Sequence, residues 1–330
     1  MNTSPAVPIT FRDLIAANKR NSLVLVIVFC LFTTVVFLVL GLAILAYFDP
    51  GVLTQLEWGK ALLIAVVAAG VSLLLAWLAY AKGDSMVLSV SGARPIEHRD
   101  DPELFNVVDE MAIAAGVPMP RIYLIDDPAP NAFATGRDPQ HAAVAITTGL
   151  RTKLSRDELQ GVVAHEMSHI RNFDIRLMLL LAVLVGSIVM LSDLFWQVLR
   201  FGSFRGGRSR EKSERGSGNG GIVMLVLMIL AVILAIVAPI LAQIIQLAVS
   251  RQREYLADAS AVDLTRYPQG LANALRKIAA DPNDLRSANR GTAHLYIANP
   301  IKKFEARSNT MFASHPPIEE RIRRLEGLVR

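Results

Sequence analysis

The chain has 330 residues, 52% of them hydrophobic and only 19% charged, with a net charge of +5 at neutral pH. A water-soluble globule this apolar would lack the polar surface to cover itself, so the composition excludes an ordinary soluble protein and points to membrane spans. The single cysteine, Cys30, excludes an intrachain disulfide and a thiolate-based zinc site, and no basic and aromatic groove pattern marks a nucleic-acid binder.

Arg12, Lys19 and Arg20 precede a first apolar run from Leu23 to Phe48, and a second runs from Ala61 to Ala81. Each reaches the roughly 20 residues that a crossing helix needs. The first is too long for a cleavable leader, and no small-residue cleavage pattern follows it. Lys82, Arg94 and Arg99 follow the second run. The positive-inside rule therefore predicts a cytoplasmic tail over 1–22, membrane helices within 23–81, and a cytoplasmic region over 82–176.

In that region Asp101-Pro102 reads as a helix cap followed by proline in the first turn, with Gly116-Val117-Pro118 as the stop. Short strands are predicted at Arg121 to Ile125, Asn131 to Thr135 and Ala142 to Thr147, the last two joined by a Gly136 to Pro139 turn. Ser155 to Glu158 forms a capping box that opens the next helix. Two further apolar runs, Leu177 to Leu199 and Ile222 to Val249, predict a hydrophobic hairpin over 177–249. Its Gly-, Ser- and Arg-rich loop, 200–221, is predicted to be mobile and sits awkwardly with the charge rule if the hairpin crosses. The length of the fourth run favours a full crossing. The rest, 250–330, reads as helical with breaks near Pro268, Pro282 and Pro316.

The helix that Ser155 opens carries His165-Glu166-Met167-Ser168-His169. Residues four apart share a helical face, so the two imidazoles can bind one zinc ion, and Glu166 can take a proton from the water that zinc activates. A hydrolytic zinc takes three protein ligands. Two carboxylates compete for the third place: Glu254, with Asp258 one turn on to orient a ligand imidazole, and Asp174, five residues after His169. If Glu254 is the ligand, the hairpin must leave and return on one side of the membrane. Gln243, Gln246, Ser250 and Glu254 then form a candidate polar stripe leading to the zinc. Asn131-Ala132-Phe133-Ala134 is a candidate exposed strand for pairing with an extended substrate. His315, in a stiff Ser-His-Pro-Pro turn, is a candidate hydrogen-bond donor to an oxyanion. His98, His141 and His294 have no partner pattern and read as surface residues.

The segments Asn131 to Arg137, His165 to Asp174, Glu254 to Asp258 and Ser314 to Pro317 together resemble the HtpX-type membrane zinc metallopeptidases, relatives of the CAAX prenyl proteases. The resemblance implies one zinc per chain on His165, His169 and Glu254, with Glu166 as the catalytic carboxylate. It places Asn131 beside the substrate and has His315 assist the transition state. It also implies quality-control cleavage of misfolded membrane proteins at the bacterial inner membrane, with the active site facing the cytoplasm. The expected fold is mainly α: transmembrane helices plus a gluzincin-like domain, split into 82–176 and 250–330, with a small β-sheet or hairpin. The expected partners are polypeptide substrates and the lipid bilayer, not nucleic acid. The rival readings are a zinc-binding scaffold or chaperone that does not cleave, a prenyl-protein-type protease, and a transporter.

Overall fold

The computed structural model describes residues 11–48, 58–185, 251–286, 292–300 and 316–328. The chain divides into two compact units. One is Met1–Leu23, Ala81–Val183 and Ile245–Arg330, and the other is Val24–Tyr80 and Leu184–Ile244.

The second unit contains most of α1 (Phe11–Phe48) and the first part of α2 (Trp58–Val90). Both helices are long and apolar enough to cross a membrane, with candidate spans Ile15–Val39 and Trp58–Val90. Their outer faces expose large apolar side chains such as Leu31, Leu63, Val66 and Trp77, a surface that hydrocarbon covers and water does not. Polar groups inside are satisfied within the helices: Ser72 donates to Ala68 O at 2.8 Å and Thr33 to Phe29 O at 2.9 Å. α1 begins well before the predicted apolar run, because no helix breaker separates Phe11 from Leu23. α2 likewise continues past Ala81 to Val90.

The first unit is built around a four-stranded sheet of order β1-β2-β4-β3, with β1 at Ala93–Pro95, β2 at Arg121–Ile125, β3 at Ala132–Thr135 and β4 at Ala143–Thr147. β2 and β4 are parallel and the outer pairs antiparallel, so β3 is an edge strand. Alternation divides the side chains between two cores. Ala132, Ala134, Val144 and Ile146 face one, and Phe133, Ala143 and Ala145 face the other.

α3 (Pro102–Ala115) begins at Asp101, whose side chain accepts from Leu104 N, and ends at left-handed Gly116. After the short α4 (Thr148–Lys153), α5 (Arg156–Arg171) starts with the capping box of Ser155 and Glu158. α5 is buried along most of its length and packs against α3, α7 (Arg251–Thr265) and α8 (Pro268–Ala280). Gly161 of α5 meets the backbone of Gly270 and Leu271 where α8 crosses it, so a Cβ there would lie 2.6 Å from Leu271 N. α6 (Asp174–Leu180) follows and passes into a π-type turn, Leu181–Val185. Leu177, Leu179 and Leu181, the start of the predicted third span, are buried in protein. The rest of the predicted hairpin, its basic loop and Gln243, Gln246 and Ser250 lie outside the described residues. α9 (Ile318–Gly327) closes the chain's described part.

One departure from the helical expectation matters for the site. Residues 296–298 are not helical, with Tyr296 extended, and lie against β3, with Ile297 N donating to Ala132 O at 2.9 Å. A second departure is His294, which is buried and has Nε2 3.1 Å from Met178 O; the apolar packing of Leu295 and Tyr296 carries it inward. His98 and His141 are exposed, and His141 Nδ1 pairs with Asp138 at 2.6 Å.

Candidate active site

α5 presents His165 and His169 one turn apart with Glu166 between them, and all three are buried. α7 brings Glu254 and Asp258 to the same place from far along the chain. Among the described residues, His165, His169 and Glu254 are the group that can hold a metal ion, with one donor atom from each within 4.8 Å of the others.

The ring nitrogens fix the direction of binding. His165 Nδ1 lies 3.0 Å from Asp258 Oδ1, and His169 Nδ1 lies 2.9 Å from Asp174 Oδ2. An ionised carboxylate only accepts, so each Nδ1 carries a proton and Nε2 is the nitrogen turned toward Glu254. The two Nε2 atoms stand 3.2 Å apart. Glu254 oxygens lie 3.8 Å from the first and 3.6 Å from the second. Three donors converging this closely in a buried place suit a cation among them. Two nitrogens sharing a tetrahedral zinc at its usual bond length stand about 3.3 Å apart, so the donor set fits the ion.

The electrostatics agree with that fit. Burial opposes a charge on His169, but the Asp174 hydrogen bond and the Glu254 carboxylate raise it to about 9: the site draws positive charge, either a proton or a metal ion that displaces it. Burial lowers His165. Burial also opposes ionisation of Asp258, yet Arg321 and His165 hold it down to about 2. Burial pushes Glu166 up to about 7; Glu254 adds to this, while His169 and the Ala134 N–H favour the ionised form. A carboxyl poised near neutrality suits a group that must take and return a proton.

Asp174 meets His169 on the Nδ1 side, away from Glu254, so it supports the ring rather than supplying the third donor. The turn that places it forces Phe173 into left-handed backbone, φ 59°, with Lys19 and Arg176 at 4.6 and 5.1 Å from its ring. Arg321 was not singled out from the sequence. It is fully buried and ties Asp258 to Ile297 O, with Nη1 3.5 Å from Glu254 Oε2. A signal was available: Ile318, Ile322 and Leu325 form an apolar stripe, and Arg321 takes the remaining place on it.

β3 ends beside Glu166 through the Ala134 N–H, but the strand is not exposed as expected. All four of its residues are buried, because residues 296–298 and α5 cover it. Asn131 is buried too: Nδ2 donates to Ala298 O at 3.1 Å and Oδ1 accepts from Ala132 N at 3.1 Å. His315 lies outside the described residues.

Residues 98–329 match Peptidase family M48. The chain belongs to that family. It is 44% identical over 320 residues to a protease HtpX homolog of Dictyoglomus turgidum, covering 96% of this chain and 95% of the relative. A protease HtpX homolog of Caldanaerobacter subterraneus is 42% identical, covering 97% and 98%, and one of Ligilactobacillus salivarius is 43% identical, covering 95% and 98%. The crystal structure of S. mikatae Ste24p is similar over 86% of this chain and 64% of its own, with 22% identity and a TM-score of 0.45. The M48 chain described here is thus a helical membrane metallopeptidase acting on polypeptides.

Proposed function

We propose that the chain is a zinc endopeptidase of the bacterial inner membrane that cuts misfolded or damaged membrane proteins, its active site facing the cytoplasm. The observation that carries the reading is the convergence of two imidazoles and Glu254 beside a buried Glu166. The nitrogen-and-carboxylate donor set favours zinc, which when bound polarises the peptide carbonyl and acidifies the attacking water. Glu166 accepts the proton of that water and passes it to the leaving nitrogen. Asp258 and Asp174 hold the His165 and His169 rings in register. Asn131 braces β3 against residue 298, and an extended substrate reaches Ala132 to Ala134 once residues 296–298 move off the strand. His315 donates a hydrogen bond to the oxyanion. Arg12, Lys19 and Arg20 before the first span, with Lys82, Arg94 and Arg99 after the second, support the cytoplasmic placement.

The test uses metal-free full-length protein, a membrane-protein substrate and added zinc. The wild type should regain cleavage. Glu166→Gln should bind zinc and cut nothing. Zinc-dependent cleavage that persists in Glu166→Gln would reject the assignment of the base.

A further inference from the structure

α1 enters the catalytic unit with a polar turn that a membrane anchor does not need. Asn18 is only 3% exposed although it lies within the candidate span Ile15–Val39. Its amide is fully used. Nδ2 donates to Asn172 O at 3.0 Å and to Asp174 Oδ1 at 2.6 Å, and Oδ1 accepts from Arg253 Nη1 at 2.8 Å. Two acceptors on one side and an obligate donor on the other fix which way the amide points. The second oxygen of Asp174 accepts from His169 Nδ1. A hydrogen-bonded chain therefore runs from the first helix to a metal-site imidazole, and its Arg253 branch ends one residue before Glu254. The next residue of α1, Lys19, sits over the Phe173 ring and braces the turn that presents Asp174.

Asp174 is 2% exposed, so water does not replace a lost donor easily. Without the Asn18 amide, its carboxylate is free to rotate and the ring it holds loses a fixed plane. We propose that Asn18 is a positioning residue of the metal centre: acting through Asp174, it orients His169 and tightens metal binding. The residues before Leu23 then belong to the catalytic machinery as well as to the anchor. This inference rests on the proposed assignment of His165, His169 and Glu254 as ligands.

The test measures zinc affinity of the full-length chain in detergent, by competition with a chelator. Loss of a group that orients a metal ligand typically weakens binding 10–100-fold. Asn18 stands one bond further out, so Asn18→Ala should weaken zinc binding about tenfold. In an Asp174→Asn background the same change should add less than about twofold, because the path is already cut. Thr33→Ala, on the same helix, should change nothing. Asn18→Gln, which shifts the amide by a methylene, replaces the alanine variant if that one does not fold and is read the same way. A role in merely seating α1 would weaken binding equally in both backgrounds. That result, or unchanged affinity in Asn18→Ala, overturns the proposal. His169→Ala separates the two levels. If it keeps wild-type zinc, the ligand assignment falls and takes this inference with it; if it loses zinc while Asn18→Ala does not, only the Asn18 proposal falls.

Discussion

The guanidinium of Arg321 grips both oxygens of Asp258, Nε to Oδ2 at 2.8 Å and Nη2 to Oδ1 at 2.7 Å, with no exposure to solvent. Through Asp258 it reaches His165, and through Nη1 it reaches both Ile297 O and the neighbourhood of Glu254. One cation thus joins α5, α7, α9 and the segment beside β3. Arg321→Ala would leave two carboxylates buried without their counter-charge, and breaking a buried pair in this way costs about 3–5 kcal/mol. Thermal melts should show a large loss of stability, and peptidase activity should vanish. Arg321→Lys keeps the charge but not the two-pronged grip. It should fold and cut at least about tenfold more slowly. Wild-type rates in the lysine variant would show that the fork has no part in the site.

How much of this was legible beforehand depends on how local each feature is. His165, Glu166 and His169 share one helical turn or so, and spacing alone brings them together. The caps at Asp101 and Ser155 are likewise local. Glu254 and Asp174 were not separable on spacing, because their roles depend on which ring nitrogen each one meets. That outcome turns on the left-handed Phe173, a conformation no residue type announces. Arg321 hid among the charged neighbours Glu319, Glu320, Arg323 and Arg324. Asn18 hid at the polar entrance of a membrane helix. The covering of β3 by residues 296–298 is a long-range pairing, and neither hydrophobic period nor turn chemistry reports it.

The metal should also hold the fold together. Its candidate ligands come from α5 and α7, which are far apart in the chain, and no such site exists once the chain unfolds. A ligand that binds only the folded state at about a hundred times its dissociation constant adds about 2.7 kcal/mol. Chelation should therefore lower the melting temperature of the wild type, and added zinc should restore it. His169→Ala should melt at a temperature that chelator does not change. A wild type indifferent to chelation would place the metal elsewhere or nowhere.

A pH-dependent contribution is expected at the cap of α3. Burial works against the charge on Asp101, but the Arg151 guanidinium and the Leu104 N–H hold its carboxyl below the usual aspartate range. Arg151 Nε lies 2.6 Å from one oxygen and Nη2 lies 3.1 Å from the other. A carboxyl depressed in the folded state stabilises above its unfolded pKa of about 3.9, and this is lost as pH falls through the folded value. Asp101→Asn keeps a capping oxygen but removes the charge. Its melting temperature should lie below the wild type by a constant amount from about pH 7 to about pH 5, then converge on it below about pH 4. The gap should be small, under about 1 kcal/mol, because the pair is partly exposed. A gap of unchanged width at about pH 3 would exclude the charge as its cause.

Gly161 lies one turn before His165 on α5, at the crossing with α8. Replacing glycine by alanine inside a helix ordinarily gains about 1 kcal/mol. Here the new methyl carbon would lie 2.6 Å from Leu271 N and 2.9 Å from Leu271 Cα, both backbone atoms that cannot swing aside. Overpacking of this kind costs about 1–3 kcal/mol, so the two helices must separate and the sign reverses. Gly161→Ala should lower stability and, by displacing the helix that carries both imidazoles, also lower activity and zinc affinity. Gly70→Ala in α2, with no atom within 4 Å of the new carbon, should be neutral or slightly stabilising. If Gly161→Ala matched Gly70→Ala in melting temperature and zinc binding, the close crossing would not be what seats the active-site helix.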